Sequence, residues 1–207
     1  RCGLRPSLRG GFLVNAASSW GVSIRGPGEY PIGHRAEALD APDVLGATDE
    51  DFTGTNRVLL EATLRRGTLG LVDAVRLARI PRQDNLLILV DQFEELFRFR
   101  RSRQIENSRE EAVAFVKLLL EATSQSEIPI YVVLTMRSDF IGDCMDYPGL
   151  PEAVNGSQYL VPRMTRDELR SAITGPVAVA GGEIAPRLVV RLLNDVGDDQ
   201  DQLPLMQ

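Results

Sequence analysis

The chain has little of several residue types, and each scarcity excludes a class of site. With one histidine among 207 residues, the sequence cannot form a metal site built from several histidines. Its two cysteines, Cys2 and Cys144, are too few for a disulfide framework and do not form the closely spaced pairs of a zinc site. So few cysteines are typical of a protein in the reducing cytoplasm, which is the location that we expect.

Long apolar runs are also absent. The two longest candidates, residues 86–90 and 128–136, are the length of strands, whereas a membrane span requires roughly 18 residues. The formal net charge of −6 disfavours a general polyanion-binding protein. The arginine-rich stretch at residues 98–103 has no aromatic stacking platform beside it and suits the C-terminal end of a helix. We therefore expect neither a membrane nor nucleic acid as a partner.

The ends of the sequence suggest a piece of a longer polypeptide. The length fits one domain or a large part of one. The chain begins with Arg1 instead of an initiator methionine, and it stops at Gln207 without a tail or a cap. We therefore expect the chain to be a fragment of a parent protein.

Strands and helices alternate in the predicted secondary structure. Residues 86–90 and 130–135 are apolar without alternation, which is typical of strands covered on both faces in a parallel sheet. The amphipathic stretch 109–123 between them predicts a helix and hence a right-handed crossover. The pattern predicts further elements: a helix end at residues 1–8, strands at 20–24 and 159–161, helices at 32–39, 56–66, 69–78 and 186–196, and a helix that starts at Thr165 with Glu168 in a capping box. Together these elements predict an α/β fold with a doubly wound sheet.

Acidic side chains follow the first apolar strand. Asp91 comes directly after it, and Glu94 and Glu95 lie in the next turn of the chain. Ligands of doubly wound sheets bind at the carboxyl ends of strands. Asp91 is therefore a candidate ligand for a phosphate-bound Mg²⁺, which proteins hold with one or two carboxylates. The alternative is that these acids only suit the N-terminus of the next helix.

Arg137 and Ser138 follow the second apolar strand. An arginine and a hydroxyl at this position can contact a γ-phosphate or its attacking water. The alternative is structural, with Arg137 in an ion pair with Asp139 or Asp91 that closes the edge of the sheet. If the two apolar strands are neighbours, Asp91 and Arg137 lie close together at one edge.

Several segments, taken in order along the chain, resemble one protein family. They are RGPGEYPI from residue 25, LLILVDQFEELF from residue 86, YVVLTMRSDFIGDC from residue 131, YLVPRMTRDELRSAITGPV from residue 159 and QLPLMQ at the end. Over essentially its whole length the sequence resembles the STAND-class P-loop NTPases. The nearest branch is the bacterial one called novel STAND NTPase 1, whose members are often joined to WD40, TIR or protease modules.

The resemblance implies roles for the residues at the two strand ends. Asp91 would be the Walker B aspartate that binds Mg²⁺, and Glu94 or Glu95 would help to polarise the attacking water. Arg137 would be the sensor-like residue, with Ser138 beside it at the nucleotide.

Two departures from the family pattern stand in the sequence. Gln92 occupies the position at which many enzymes of the wider class place an acid. No G-x-x-x-x-G-K-[ST] phosphate loop exists in the 207 residues, since the one lysine, Lys117, lies in an amphipathic stretch without preceding glycines. We expect this Walker A loop to lie upstream of Arg1.

The implied fold is a P-loop NTPase-like three-layer α/β fold with a parallel sheet, incomplete at its N-terminus. Residues 1–161 would form the NTPase core without its first strand and Walker A loop, and residues 162–207 would begin the C-terminal helical part. The implied function is an ATP- or GTP-dependent signalling switch, which binds Mg²⁺ and ATP in the intact parent, acts on attached sensor and effector domains, and forms oligomers when nucleotide is bound. The chain alone is expected to bind no cofactor tightly and to lack ATPase activity. The alternative is a non-catalytic scaffold that retains an NTPase fold for protein contacts.

Overall fold

A computed structural model of the chain describes residues 19–45, 53–78, 84–101, 108–126 and 129–196. The chain divides into two compact units, Arg1–Gln158 and Tyr159–Gln207. None of the described helices combines the length and the apolar character that a membrane span requires.

The first unit contains a small parallel sheet with the order β1-β2-β3. Its strands are β1 (Ser19–Ile24), β2 (Asp84–Val90) and β3 (Ile130–Leu134). Both strand pairs are parallel, and the last residue of β2, Val90, is paired with the last residue of β3, Leu134. The carboxyl ends of β2 and β3 therefore lie side by side.

The helices of the first unit connect these strands. In chain order they are α1 (Pro31–Leu39), α2 (Thr53–Leu64), α3 (Gly70–Leu77), α4 (Glu95–Arg101), α5 (Ser108–Ser124), a 3-10 segment (Ser138–Asp146) and α6 (Leu150–Ser157). A proline in the first turn of α1 and of α6 favours a helix start there, because the fixed φ of proline matches the helix and its missing N–H has no intrahelical partner to lose. Among the described residues, the crossover from β2 to β3 runs through α4 and α5.

The core of the first unit lies between one face of the sheet and these helices. Leu86, Ile88 and Val90 of β2 share a single buried cluster with apolar side chains from α1 to α6. On the other face, Val22 and Leu87 form a separate small cluster. The fold is therefore α/β with a parallel sheet, as predicted, and the described helices of this unit cover one face of that sheet.

The second unit contains α7 (Arg166–Val179) and α8 (Pro186–Val196). Thr165 caps α7 in the predicted capping box, in which its hydroxyl accepts a hydrogen bond from the Glu168 N–H and the Glu168 carboxylate accepts one from the Thr165 N–H. Apolar side chains from both helices, Leu169, Val189 and Leu193, form the small core of this unit.

Most of the predicted elements are confirmed with boundaries shifted by a few residues. The strand predicted at residues 159–161 is wrong, because these residues form no strand and their side chains are 84%, 72% and 77% exposed. Three apolar residues satisfy a strand pattern, but without a partner strand they have no ladder of hydrogen bonds to hold them extended. The helix end predicted at residues 1–8 lies outside the described residues, and the division after residue 161 stays a prediction.

Candidate functional site

The candidate site lies where the chain leaves β2 and β3. Thr135 follows β3 directly, as Asp91 follows β2. The backbone continues to pair beyond the strands, since the Thr135 N–H donates to the Val90 carbonyl at 3.0 Å and the Phe93 N–H donates to the Thr135 carbonyl at 2.8 Å. The predicted adjacency of the two strands is confirmed, and Asp91 and Arg137 follow neighbouring strand ends at the same edge of the sheet.

The Thr135 hydroxyl holds the Asp91 carboxylate. It donates a hydrogen bond to Asp91 Oδ1 at 2.6 Å and accepts one from the Gln92 N–H at 3.1 Å. A hydroxyl has one proton and two lone pairs, so both of these bonds can form at once. Asp91 is half-buried, and one of its oxygens has a fixed orientation toward β3.

Gln92 has the left-handed backbone conformation that L-residues rarely adopt. Its φ is 53°, the one positive φ of a non-glycine residue in the part of the chain that the structure describes. Such a conformation costs of the order of 1–3 kcal/mol and persists only where the surroundings hold it. Here the surroundings are two hydrogen bonds that fix this turn of the backbone, in which the N–H groups of Gln92 and Phe93 donate to the hydroxyl and the carbonyl of Thr135.

Glu94 is buried, with 8% of its surface exposed. Its Oε2 atom is fully enclosed and has no hydrogen-bond partner in the described structure. A buried polar atom without a partner costs of the order of 1–3 kcal/mol. Glu94 is therefore a destabilising group at this position.

Glu95 is tied to the loop that follows β1. Its Oε2 atom accepts a hydrogen bond from the Gly28 N–H at 3.2 Å. A side chain at Gly26 would place its Cβ 3.0 Å from the Asp91 carbonyl and 3.1 Å from Glu95 Oε2, so this glycine allows the close approach of the loop. The loop after β1 thus packs directly against the turn that carries Asp91.

Arg137 pairs with Asp139. Its Nε and Nη2 atoms donate to the two carboxylate oxygens at 3.2 and 3.1 Å, and both side chains are about half exposed. Hydrogen bonding from Arg137 lowers the pKa of Asp139 below its usual value. Ser138 is exposed and begins the 3-10 segment. The structural alternative of an Arg137–Asp139 ion pair is therefore present, but an exposed pair of this kind contributes only about 0–1 kcal/mol.

Arg35 is a buried cation behind this edge of the sheet. It lies in α1 with 2% of its surface exposed, and its guanidinium donates to Ser23 Oγ at 2.9 Å and to the Arg25 carbonyl at 3.1 Å. Burial and the nearby Arg25 lower the pKa of Arg35 to about 10. The two hydrogen bonds fasten α1 to the end of β1 and hold the loop that reaches Glu95.

The residues present fit a magnesium ion held through a single carboxylate. Mg²⁺ prefers oxygen ligands, keeps several waters and uses one or two carboxylates with the phosphates of a substrate. Asp91 offers such a carboxylate, and the Thr135 hydroxyl supplies the outer hydrogen bond that commonly orients a ligating carboxylate. Within the described residues, no group of three or more histidine, cysteine or acidic side chains is arranged to hold a metal. Asp91, Glu94 and Glu95 are therefore not a joint metal cluster.

Sequence reasoning placed Asp91, Arg137 and Ser138 at one edge of the sheet but missed Thr135 and Arg35. Thr135 could have been found from the parallel register, because the residue that follows β3 lies opposite Asp91, the residue that follows β2. The signal for Arg35 is weak, because an arginine in an amphipathic helix ordinarily predicts a solvated face.

Comparison with known proteins gives one family. The family model described as Novel STAND NTPase 1 matches residues 1–207. Neither the curated proteins nor the solved structures contain a significant match. Because the family model covers the full length of the sequence, the chain belongs to the Novel STAND NTPase 1 family.

Proposed function

We propose that this chain is the Walker B and sensor part of a nucleotide-dependent signalling switch with a P-loop NTPase fold. The proposal rests on the arrangement at the edge where β2 and β3 end. There the Thr135 hydroxyl orients Asp91, and Arg137 lies two residues after Thr135. An acid and a cation on neighbouring parallel strand ends are suited to a magnesium-bound phosphate. The family membership supports the same function.

Asp91 would hold Mg²⁺ through its carboxylate. The ion would neutralise charge on the β- and γ-phosphates when it is bound. The contribution of this chain is to place the carboxylate at the carboxyl end of β2 and to fix its orientation through the hydroxyl of Thr135.

Arg137 and Ser138 would sense the γ-phosphate. Arg137 would exchange Asp139 for the phosphate at a small free-energy cost, because the pair with Asp139 is exposed. Ser138 is exposed directly beside it and offers a hydroxyl. Such an exchange makes the tip of β3 respond to the difference between ATP and ADP.

The two glutamates would have different roles. Glu95 is the more accessible of the two, and we assign to it the polarisation of the attacking water. Its bond to Gly28 holds the carboxylate beside the turn that carries Asp91. Glu94 is enclosed and would act on the site only through the conformation of that turn.

The phosphate loop would be supplied by sequence outside these 207 residues, since they contain no G-x-x-x-x-G-K-[ST] motif. The protein that combines the two parts would hydrolyse ATP or GTP in the cytoplasm and change the state of attached sensor and effector domains. Charged nucleotide phosphates order loops that relax after hydrolysis, which gives such modules two states. Oligomers would form in the nucleotide-bound state.

The test is Asp91→Asn in the full-length protein that carries this chain, with Asp195→Asn on the exposed surface of α8 as a matched charge control. We expect Asp91→Asn to abolish Mg²⁺-dependent nucleotide turnover while the circular dichroism spectrum stays unchanged, and Asp195→Asn to retain wild-type turnover. Wild-type turnover in Asp91→Asn would refute the proposal. Lack of nucleotide binding in the full-length wild-type protein would favour the non-catalytic scaffold, for which the absent phosphate loop is the supporting observation.

A further inference from the structure

We propose that Thr135 is the positioning residue of the candidate site, since it fixes both the carboxylate of Asp91 and the strained backbone of Gln92. This inference rests on the proposed function, because it gives Asp91 the magnesium role described above. It assigns to the segment that follows β3 a role at the metal in addition to the sensor role of Arg137. It also assigns a role to the hydroxyl of Thr135, which the pairing of the backbone at the end of a strand does not require.

Four hydrogen bonds converge on Thr135. Its backbone N–H and carbonyl bond Val90 and Phe93 at 3.0 and 2.8 Å, and its hydroxyl bonds Asp91 and the Gln92 N–H at 2.6 and 3.1 Å. The two backbone bonds can be made by any residue other than proline. The two side-chain bonds need one group that both donates and accepts and that is attached to Cβ. Serine and threonine provide such a hydroxyl.

The bond to Asp91 decides where the carboxylate points. Because the hydroxyl proton is donated to Oδ1, the rotation of the carboxyl group is set by the position of β3. An outer-shell partner of this kind changes metal affinity by about 10- to 100-fold when it is removed.

The bond to Gln92 decides how the chain turns after Asp91. The φ of 53° at Gln92 is unfavourable for a residue with a Cβ, and the Thr135 hydroxyl accepts the N–H of this same residue. Loss of the hydroxyl removes the acceptor and lets the turn relax. Relaxation would move Asp91 as well, since Asp91 and Gln92 are consecutive.

Packing does not explain the threonine. Thr135 is exposed, so its side chain contributes little to the core, and an isosteric valine at this position keeps the shape without the hydroxyl. Thr63 of α2 provides the matched contrast, because it is 1% exposed and its hydroxyl donates only to the Leu59 carbonyl of its own helix at 2.8 Å.

The first experiment compares Thr135→Val, Thr135→Ser and Thr63→Val in the 207-residue chain by amide hydrogen exchange, measured by nuclear magnetic resonance. We expect the Gln92 amide to exchange about five- to tenfold faster in Thr135→Val, which corresponds to the net free energy of one hydrogen bond. Thr135→Ser and Thr63→Val should keep the wild-type rate at Gln92. The Phe93 amide is an internal control, because it bonds to the Thr135 carbonyl and should stay protected in Thr135→Val.

The second experiment uses Mn²⁺ alone as a paramagnetic substitute for Mg²⁺, with Asp91→Asn as the variant that removes the ligand. Mn²⁺ should broaden the amide signals around Asp91 in the wild type and in Thr135→Ser, and about tenfold more Mn²⁺ should be needed in Thr135→Val. Equal Mn²⁺ dependence in Thr135→Val and the wild type, with the effect lost in Asp91→Asn, would overturn the positioning role.

Failure of the inference and failure of the proposed function give different results. An unchanged exchange rate at Gln92 in Thr135→Val overturns the inference whatever Asp91 binds. Absence of any Asp91-dependent broadening in the wild type overturns the magnesium role of Asp91, and the exchange rate at Gln92 alone then decides whether Thr135 holds the turn.

Discussion

Replacing Glu94 by methionine should stabilise the first unit, because it removes a carboxyl oxygen that is enclosed without a hydrogen-bond partner. Methionine is unbranched and close to glutamate in length, so it can occupy the same space without a branched carbon that would have to be accommodated. The carboxyl group contributes a desolvation cost that a thioether does not have. An increase in stability upon mutation would therefore indicate that Glu94 is retained for a reason other than folding.

The size of the effect follows from the burial of this group. An unpartnered buried polar atom costs about 1–3 kcal/mol. Imperfect packing of the methionine side chain reduces the stabilisation that removal of this atom provides. We expect a net stabilisation of about 1–2 kcal/mol. For a unit of this length each kcal/mol shifts the melting temperature by about 2–4 °C, so the expected increase is about 2–8 °C.

The neighbouring residue gives a matched control of the opposite sign. Glu95→Met deletes the acceptor of the Gly28 N–H and should lower the stability by about 0.5–1.5 kcal/mol. Thermal unfolding followed by circular dichroism, together with urea unfolding at 25 °C, measures both variants under the same conditions. The reasoning would be refuted if Glu94→Met were less stable than the wild type by more than about 1 kcal/mol, or if Glu95→Met were the more stable of the two variants.

Three further predictions concern the surroundings of the site. Gly28→Ala should lower the stability by about 1–3 kcal/mol in urea unfolding. Gly28 has a φ of 57°, and its new Cβ would lie 2.6 Å from the His34 ring. Gly67→Ala should change the stability little, because no atom lies within 4 Å of its new Cβ. Asp139→Asn should flatten the acid side of the profile of stability against pH. The pKa of Asp139 is lowered, so its pair with Arg137 is stabilising above the usual carboxyl pKa of about 4, and this contribution is lost as the pH falls through the lowered pKa. Identical profiles between pH 2 and 5 for the variant and the wild type would contradict this. In a Cys2→Ser variant, Cys144 should react with a disulfide reagent at pH 8 far more slowly in the folded than in the unfolded chain. The reason is that burial raises the pKa of its thiol. Equal rates in the two states would show that Cys144 is accessible.

Elements with a strong apolar pattern could be predicted from the sequence. β2 and β3 are continuous apolar runs and α5 has one apolar face, so their type, order and parallel pairing follow from local composition and from the crossover rule. The strand predicted at residues 159–161 failed because apolar composition alone does not create a partner strand. Pattern therefore predicts an element best where a second element is available to cover it.

The details of the site depend on contacts between distant parts of the chain. The bond from Gly28 to Glu95 joins residues 67 positions apart, and the bond from Thr135 to Asp91 joins residues 44 positions apart. No local pattern contains such pairs. They become predictable only once the register of the parallel strands is known, since the register brings the residue after β2 opposite the residue after β3.

Three acids within five residues have three different environments at this strand end, and the environments decide what each can do. Asp91 has its carboxylate oriented by the hydroxyl of Thr135, the residue that follows β3. Glu95 has its carboxylate directed to the loop after β1, and Glu94 is enclosed, because the left-handed turn at Gln92 rotates the chain between Asp91 and these residues. One backbone turn thus separates the three acids, and the residue that holds this turn, Thr135, lies in the segment after β3 that also contains Arg137. A displacement of the β3 tip would therefore act on the acid and on the cation of the site together.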